Sequence, residues 1–162
     1  MNSLSELQSY KFRGARALLL VHEAALRKLL DTWRQAKAAG ITLPVSKNPN
    51  YQSLDHLLRH TLNAPGALMG WICSKLELPD PEISEPPAVE KIEAEADWYL
   101  IYLLGKLREP LVDVETARFT DRTYDTSRKI PYTIESMLEH IVLHTLKHDF
   151  QLQELLAAHK ST

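Results

Sequence analysis

Only one cysteine, Cys73, stands in 162 residues, which excludes an internal disulfide and any cysteine-based zinc cage. The five glycines form no GxGxxG or GxxxxGK pattern, so the familiar phosphate-cradling loops are absent. Neither sign of charge dominates. With 19 Lys+Arg against 21 Asp+Glu, no basic field supports non-specific binding, and no nucleic-acid partner is expected. Long apolar runs are missing too. The longest apolar cluster, residues 15–26, is interrupted by Arg16, His22 and Glu23. A membrane span needs roughly 18 to 20 apolar residues, so no membrane partner is expected. The opening Met1-Asn2-Ser3-Leu4-Ser5 has neither the basic start nor the apolar stretch of a secretory signal. The reading is a cytoplasmic protein, and a lone thiol suits that compartment.

Apolar side chains are plentiful at 44%, with 25% charged. That balance can offset ordering entropy, and the length suits a single domain over 1–162. Helical periodicity dominates. A first helix is expected from residue 3 or 5, where Ser3 and Glu6 make a capping box, to about residue 37, with Gly40 as its stop. Leu19, Leu26, Leu29, Leu30 and Trp33 form its stripe. A second helix should begin near residues 51–53 and be bent or split by Pro65. Four prolines between residues 79 and 87 break the chain before a third helix over about 88–108. Trp98, Ile101, Tyr102 and Leu104 are its expected inner face. A polar connection over 111–131 should hold at most a short turn or strand. The last helix is expected over about 132–159, capped by Thr133. Four long helices with little strand signal predict an all-α four-helix bundle. Trp33, Trp71 and Trp98 read as core residues and Cys73 as structural.

Five of the seven histidines fall in two clusters, His56/His60 and His140/His144/His148, each spaced by four. A four-residue step turns a helix by roughly 40° and rises about 6 Å, so such pairs share a face and can grip one ion. Set against the apolar direction at Ile141, His148 lies about 20° away, His144 about 60° and His140 about 100°. His144 and His148 are therefore the better pair. On the second helix His60 lies at the apolar edge and His56 nearer solvent. His60, His144 and His148 together would leave an open position on a divalent ion, as catalytic sites do. Imidazole suits zinc, nickel, iron and copper. His22 and His159 read as solvated or hydrogen-bonded side chains. No histidine has Glu three residues before it, as a di-iron bundle requires. HExxH, CxxCH and GxSxG are absent as well. Arg118, Arg122, Arg128 and Lys129 in the long connection are solvated, or else recognise a carboxylate.

The run Ser53-Leu54-Asp55-His56-Leu57-Leu58-Arg59-His60 resembles the second-helix signature of the DinB/YfiT-like family. The run from Met137 to Leu152 is similar to that family's last-helix signature, an HxxxH pair followed three residues later by Gln. This chain has Thr145 where a His-Glu start is commoner, and Phe150-Gln151 where Gly-Gln is common. The resemblance spans essentially the whole chain. It implies a four-helix bundle, usually a homodimer, with zinc or nickel held by His60, His144 and His148. It also implies a thiol-dependent transferase or isomerase using a small thiol cosubstrate such as bacillithiol or mycothiol.

The function expected is therefore a metal-dependent thiol S-transferase or hydrolase acting on a small molecule. Asp149, Gln151 and Glu139 are candidates to support the ligands. The alternative is a non-catalytic helical dimerisation or binding module.

Overall fold

The fold is described from a computed structural model, over residues 9–161. Four long helices account for most of it: α1 (Arg13–Ala38), α2 (Leu54–Lys75), α3 (Ile92–Arg108) and, after a short α4 (Ala117–Thr120) and a hairpin, α5 (Ile134–Lys160). The hairpin strands, β1 (Tyr124–Asp125) and β2 (Pro131–Tyr132), pair antiparallel, with Tyr124 opposite Tyr132. α1 lies along α5, and α2 packs on α1, α3 and α5. The buried apolar side chains form one cluster, with Trp33, Leu57, Met69, Leu103, Phe119 and Leu138 among its members. Among the described residues no helix is long and apolar enough to cross a membrane.

The helix ends follow local chemistry. Ser53 caps α2 by accepting the His56 N–H, and Thr133 caps α5 by accepting the Ser136 N–H. α1 closes on Gly40, whose φ of 67° lets its N–H reach Lys37 O while the Ile41 N–H reaches Ala36 O. Pro65 does not split α2. The helix runs through it, and the ring is buried in the core. Only one ladder bond is lost there, and packing replaces it.

The start of α1 differs from expectation. Ser3 and Glu6 lie outside the described residues, and residues 10–12 leave the helical path. Tertiary contacts decide this. Tyr10 is buried and its hydroxyl donates to Arg108 O, while the Lys11 N–H donates to Val112 O. Phe12 packs on Phe119, ring centroids 4.6 Å apart. Its ring also folds over Gly14, where a Cβ would stand 2.4 Å from it, so the glycine leaves room for that ring.

The inner face of α3 is also corrected. Trp98 and Ile101 are exposed, at 66% and 67%, and the buried face is Ile92, Ala96, Tyr99, Leu100, Leu103, Leu104 and Leu107. Residues 98–104 are all apolar or aromatic, so periodicity there cannot choose between faces. Of the three tryptophans only Trp33 is fully in the core, where its indole N–H donates to Leu54 O and ties α1 to α2. Trp71 is half-buried. The 111–131 connection holds more structure than expected, namely α4 and the hairpin.

Gly40 has open space around it, so Gly40→Ala tests conformation alone. The variant should lose about 1 kcal/mol, read as a lower urea midpoint with unchanged slope.

Candidate metal centre

Two helix faces meet at the candidate site. On α2, His56 is committed to the helix start, where its Nδ1 lies 2.9 Å from Ser53 Oγ. One turn later, half-buried His60 faces α5. On α5, His144 and His148 stand one turn apart, and His148 is fully buried. His60 Nε2 and His144 Nε2 are 3.1 Å apart. The ring centroids lie 4.9 Å apart for His60/His144, 4.7 Å for His144/His148 and 5.5 Å for His60/His148. One nitrogen from each ring falls within 4.8 Å of the others.

These spacings suit a small divalent cation. Zinc–nitrogen bonds of about 2.0–2.1 Å place neighbouring ligand nitrogens roughly 3.0–3.4 Å apart. The His60/His144 pair already has that separation, and a nitrogen of His148 lies within 4.8 Å of both. Two buried nitrogens, His148 Nε2 and His144 Nδ1, have no hydrogen-bond partner in the protein. An unsatisfied buried polar atom costs about 1–3 kcal/mol, which a cation held among the three rings would relieve at His148 Nε2. The donor set therefore fits a zinc- or nickel-like ion and contains no carboxylate.

The electrostatics agree. Burial, with its imidazole neighbours His148 and His60, pushes His144 down to about 3. Burial pushes His148 down to about 4, partly opposed by its hydrogen bond to Gln151. Burial and then Lys147 lower His60. Deprotonated imidazole is the form that binds metal. Gln151 adds direction: its Oε1 accepts the His148 Nδ1–H at 2.9 Å. That bond places the proton on Nδ1 and leaves the Nε2 lone pair free.

Of the other expected supporters, Asp149 turns away. It accepts from Thr32 Oγ1 and Gln153 Nε2, each at 2.6 Å, and pairs with Lys28 on the α1 side. Glu139 is exposed, as are His140 and His159. Arg118 donates to Leu76 O, and Arg122 lies over the Tyr124 ring. Cys73 is buried, and burial raises its thiol pKa, so it is no ready nucleophile.

His22 is the hydrogen-bonded side chain of its two expected states, not the solvated one, and Tyr51 escaped the sequence reading altogether. His22 is 2% exposed, with Nε2 3.1 Å from Thr145 Oγ1. Its position between Leu19 and Leu26 on the α1 stripe was the available signal. Tyr51, 5.8 Å from His148 between ring centroids, comes from a 3-10 turn that periodicity does not reach. The site opens into a cavity of about 480 Å³ lined by His60, His144, Tyr51 and residues of the hairpin. On the far side of Tyr51 and Gln151 lies an apolar cavity of about 510 Å³, walled by Leu43, Val45, Leu57 and Leu155. Comparison with protein-family models, curated proteins and solved structures gives no match.

Gln151→Leu should weaken zinc binding by about 10–100-fold, measured by chelator competition, because the His148 tautomer is no longer held. A second expectation concerns acid. Burial holds His22 down to about 4 in the folded protein, against 6.5 for a free histidine. The unfolded chain therefore binds more protons between those values, and stability falls as pH drops through them. His22 should contribute about 2 kcal/mol to the loss between pH 7 and pH 5. His22→Gln should flatten the metal-free protein's stability-against-pH curve by that amount in urea titrations.

Proposed function

We propose that the chain is a divalent-metal-dependent enzyme of the thiol S-transferase or hydrolase kind, built as a DinB/YfiT-like four-helix bundle. One observation carries the reading. Three imidazoles from two helices converge beside an open cavity, and the buried His148 Nε2 aimed among them has no protein partner. A structural zinc site closes all four positions with protein ligands. Here three protein nitrogens converge and two of the rings, His60 and His144, line the cavity, so an ion held by them would have room for a reactant.

His60, His144 and His148 would hold the ion. When bound there, a zinc or nickel ion supplies Lewis acidity toward a thiol, a water molecule or a carbonyl oxygen. The chain's own groups prepare the site. Gln151 holds the His148 proton on Nδ1. Burial keeps His144 and His148 neutral at pH 7. The Tyr51 ring packs beside His148, ring centroids 5.8 Å apart. The charge of Lys147 reaches all three imidazoles and favours an anionic reactant, such as a thiolate, beside them.

The test is metal analysis of protein purified without nickel affinity. Close to one divalent ion per chain is expected, and none in His144→Ala, whose folding is checked by circular dichroism. A thiol-plus-electrophile screen on the loaded protein should then show turnover that disappears in the same variant. Absence of metal after zinc and nickel loading would overturn the proposal in favour of a non-catalytic helical module. Metal without thiol dependence would move the assignment to hydrolysis.

A further inference from the structure

The cavity beside the histidines has an unbalanced charge. Its wall is formed by α2, α5, residues 48–51 and the hairpin. Two formally charged side chains line it, Arg128 and Lys147, and both are positive; no carboxylate lines it. Some cations elsewhere are paired, such as Arg27 and Arg108 with Glu23, Lys28 with Asp149 and Arg59 with Glu85, and others are not; what sets Arg128 and Lys147 apart is that both line one cavity without a carboxylate. Among the described residues neither Arg128 nor Lys147 makes an ion pair, although both are exposed enough to do so.

Arg128 is also held in place by its turn. The Lys129 N–H donates to Thr126 O at 2.9 Å, and the Thr126 N–H donates to Ile130 O at 3.1 Å. Lys129 takes the left-handed conformation, φ 57°, that ends a three-residue hairpin loop. The loop therefore carries Arg128 to the cavity wall opposite α5. Lys147 stands on α5 one turn after His144 and one residue before His148. A planar guanidinium grips two oxygens of one anionic group, and an ammonium adds a point charge. An imidazole side chain is neutral or cationic and never negative, so the histidines cannot offset these cations.

From this we infer that the cavity takes a small substrate bearing an anionic oxygen group, a carboxylate or a phosphate, which docks between Arg128 and Lys147 while its reacting atom lies toward the histidines. The inference rests on the reading of this cavity as the reacting site, and it assigns the substrate class that reading leaves open. Thr126, Ser127 and Tyr132, on the same wall, offer hydroxyls to the remaining oxygens.

Calorimetric titration with succinate, inorganic phosphate and the neutral succinamide tests it, on both metal-free and nickel-loaded full-length protein. Saturable binding of succinate or phosphate is expected in at least one form. Which anion binds tighter distinguishes carboxylate from phosphate. The Arg128→Ala/Lys147→Ala double variant should bind roughly tenfold or more weakly. Lys91→Ala, an exposed cation outside the cavity lining, should bind as the parent does. Three results would each overturn the inference: no saturable binding of either anion in either form, undiminished affinity in the double variant, or succinamide binding as tightly as succinate. Nickel content of the same samples reports on the metal reading separately, because the metal-free titration does not depend on it.

Discussion

The rotational setting of α5 is the constraint on which everything else rests. Residues 144 and 145, and again 148 and 149, are adjacent pairs whose side chains diverge by about 100°. His144 and His148 turn toward α2, where His60 waits 3.1 Å from His144. Thr145 and Asp149 turn toward α1, where they meet His22 and Thr32. Each pair repeats after four residues, so the two polar rows run side by side along the same helix. Rotating α5 by a fraction of a turn would strand buried polar atoms on both sides at once. The α1 contacts therefore hold the helix at the angle that presents the imidazoles.

That arrangement concentrates buried polarity in a small chain. Asp149 is 3% exposed yet has two hydrogen-bond donors and a lysine around it. Breaking such a network leaves a buried charge uncompensated, which costs more than the network contributes when whole. His22 likewise has a hydroxyl partner. His148 Nε2 has none. The contrast within one helix sets the candidate centre apart from the buried polar groups around it: the latter are satisfied by the protein, and the former points at something else.

Much of the secondary structure was legible because it is written locally. Ser53 and Thr133 cap the helices where a short oxygen side chain precedes an apolar run, and Gly40 ends α1 where a positive φ is needed. The inward turn of His144 and His148 was legible too, since Ile141, Leu152 and Leu156 mark the buried side of α5. Periodicity failed where its contrast vanished. Around residues 98–104 of α3 almost every side chain is apolar, and Trp98 was placed inside although it is exposed. For His22, which lies on the apolar stripe of α1, the reading left solvated and hydrogen-bonded states open, and the contact with Thr145 decided it.

The sequence by itself determined the helices, their stops, and the presence of imidazoles at a spacing that shares one face, because hydrogen-bond capping and the 3.6-residue period act within a few residues. Tertiary structure decided the rest. Which helix stands opposite His144, whether Gln151 or Asp149 reaches an imidazole, and that a hairpin tip brings Arg128 to the same cavity all depend on contacts between segments far apart in the chain. Such contacts follow from how whole faces pack, and no local spacing records them.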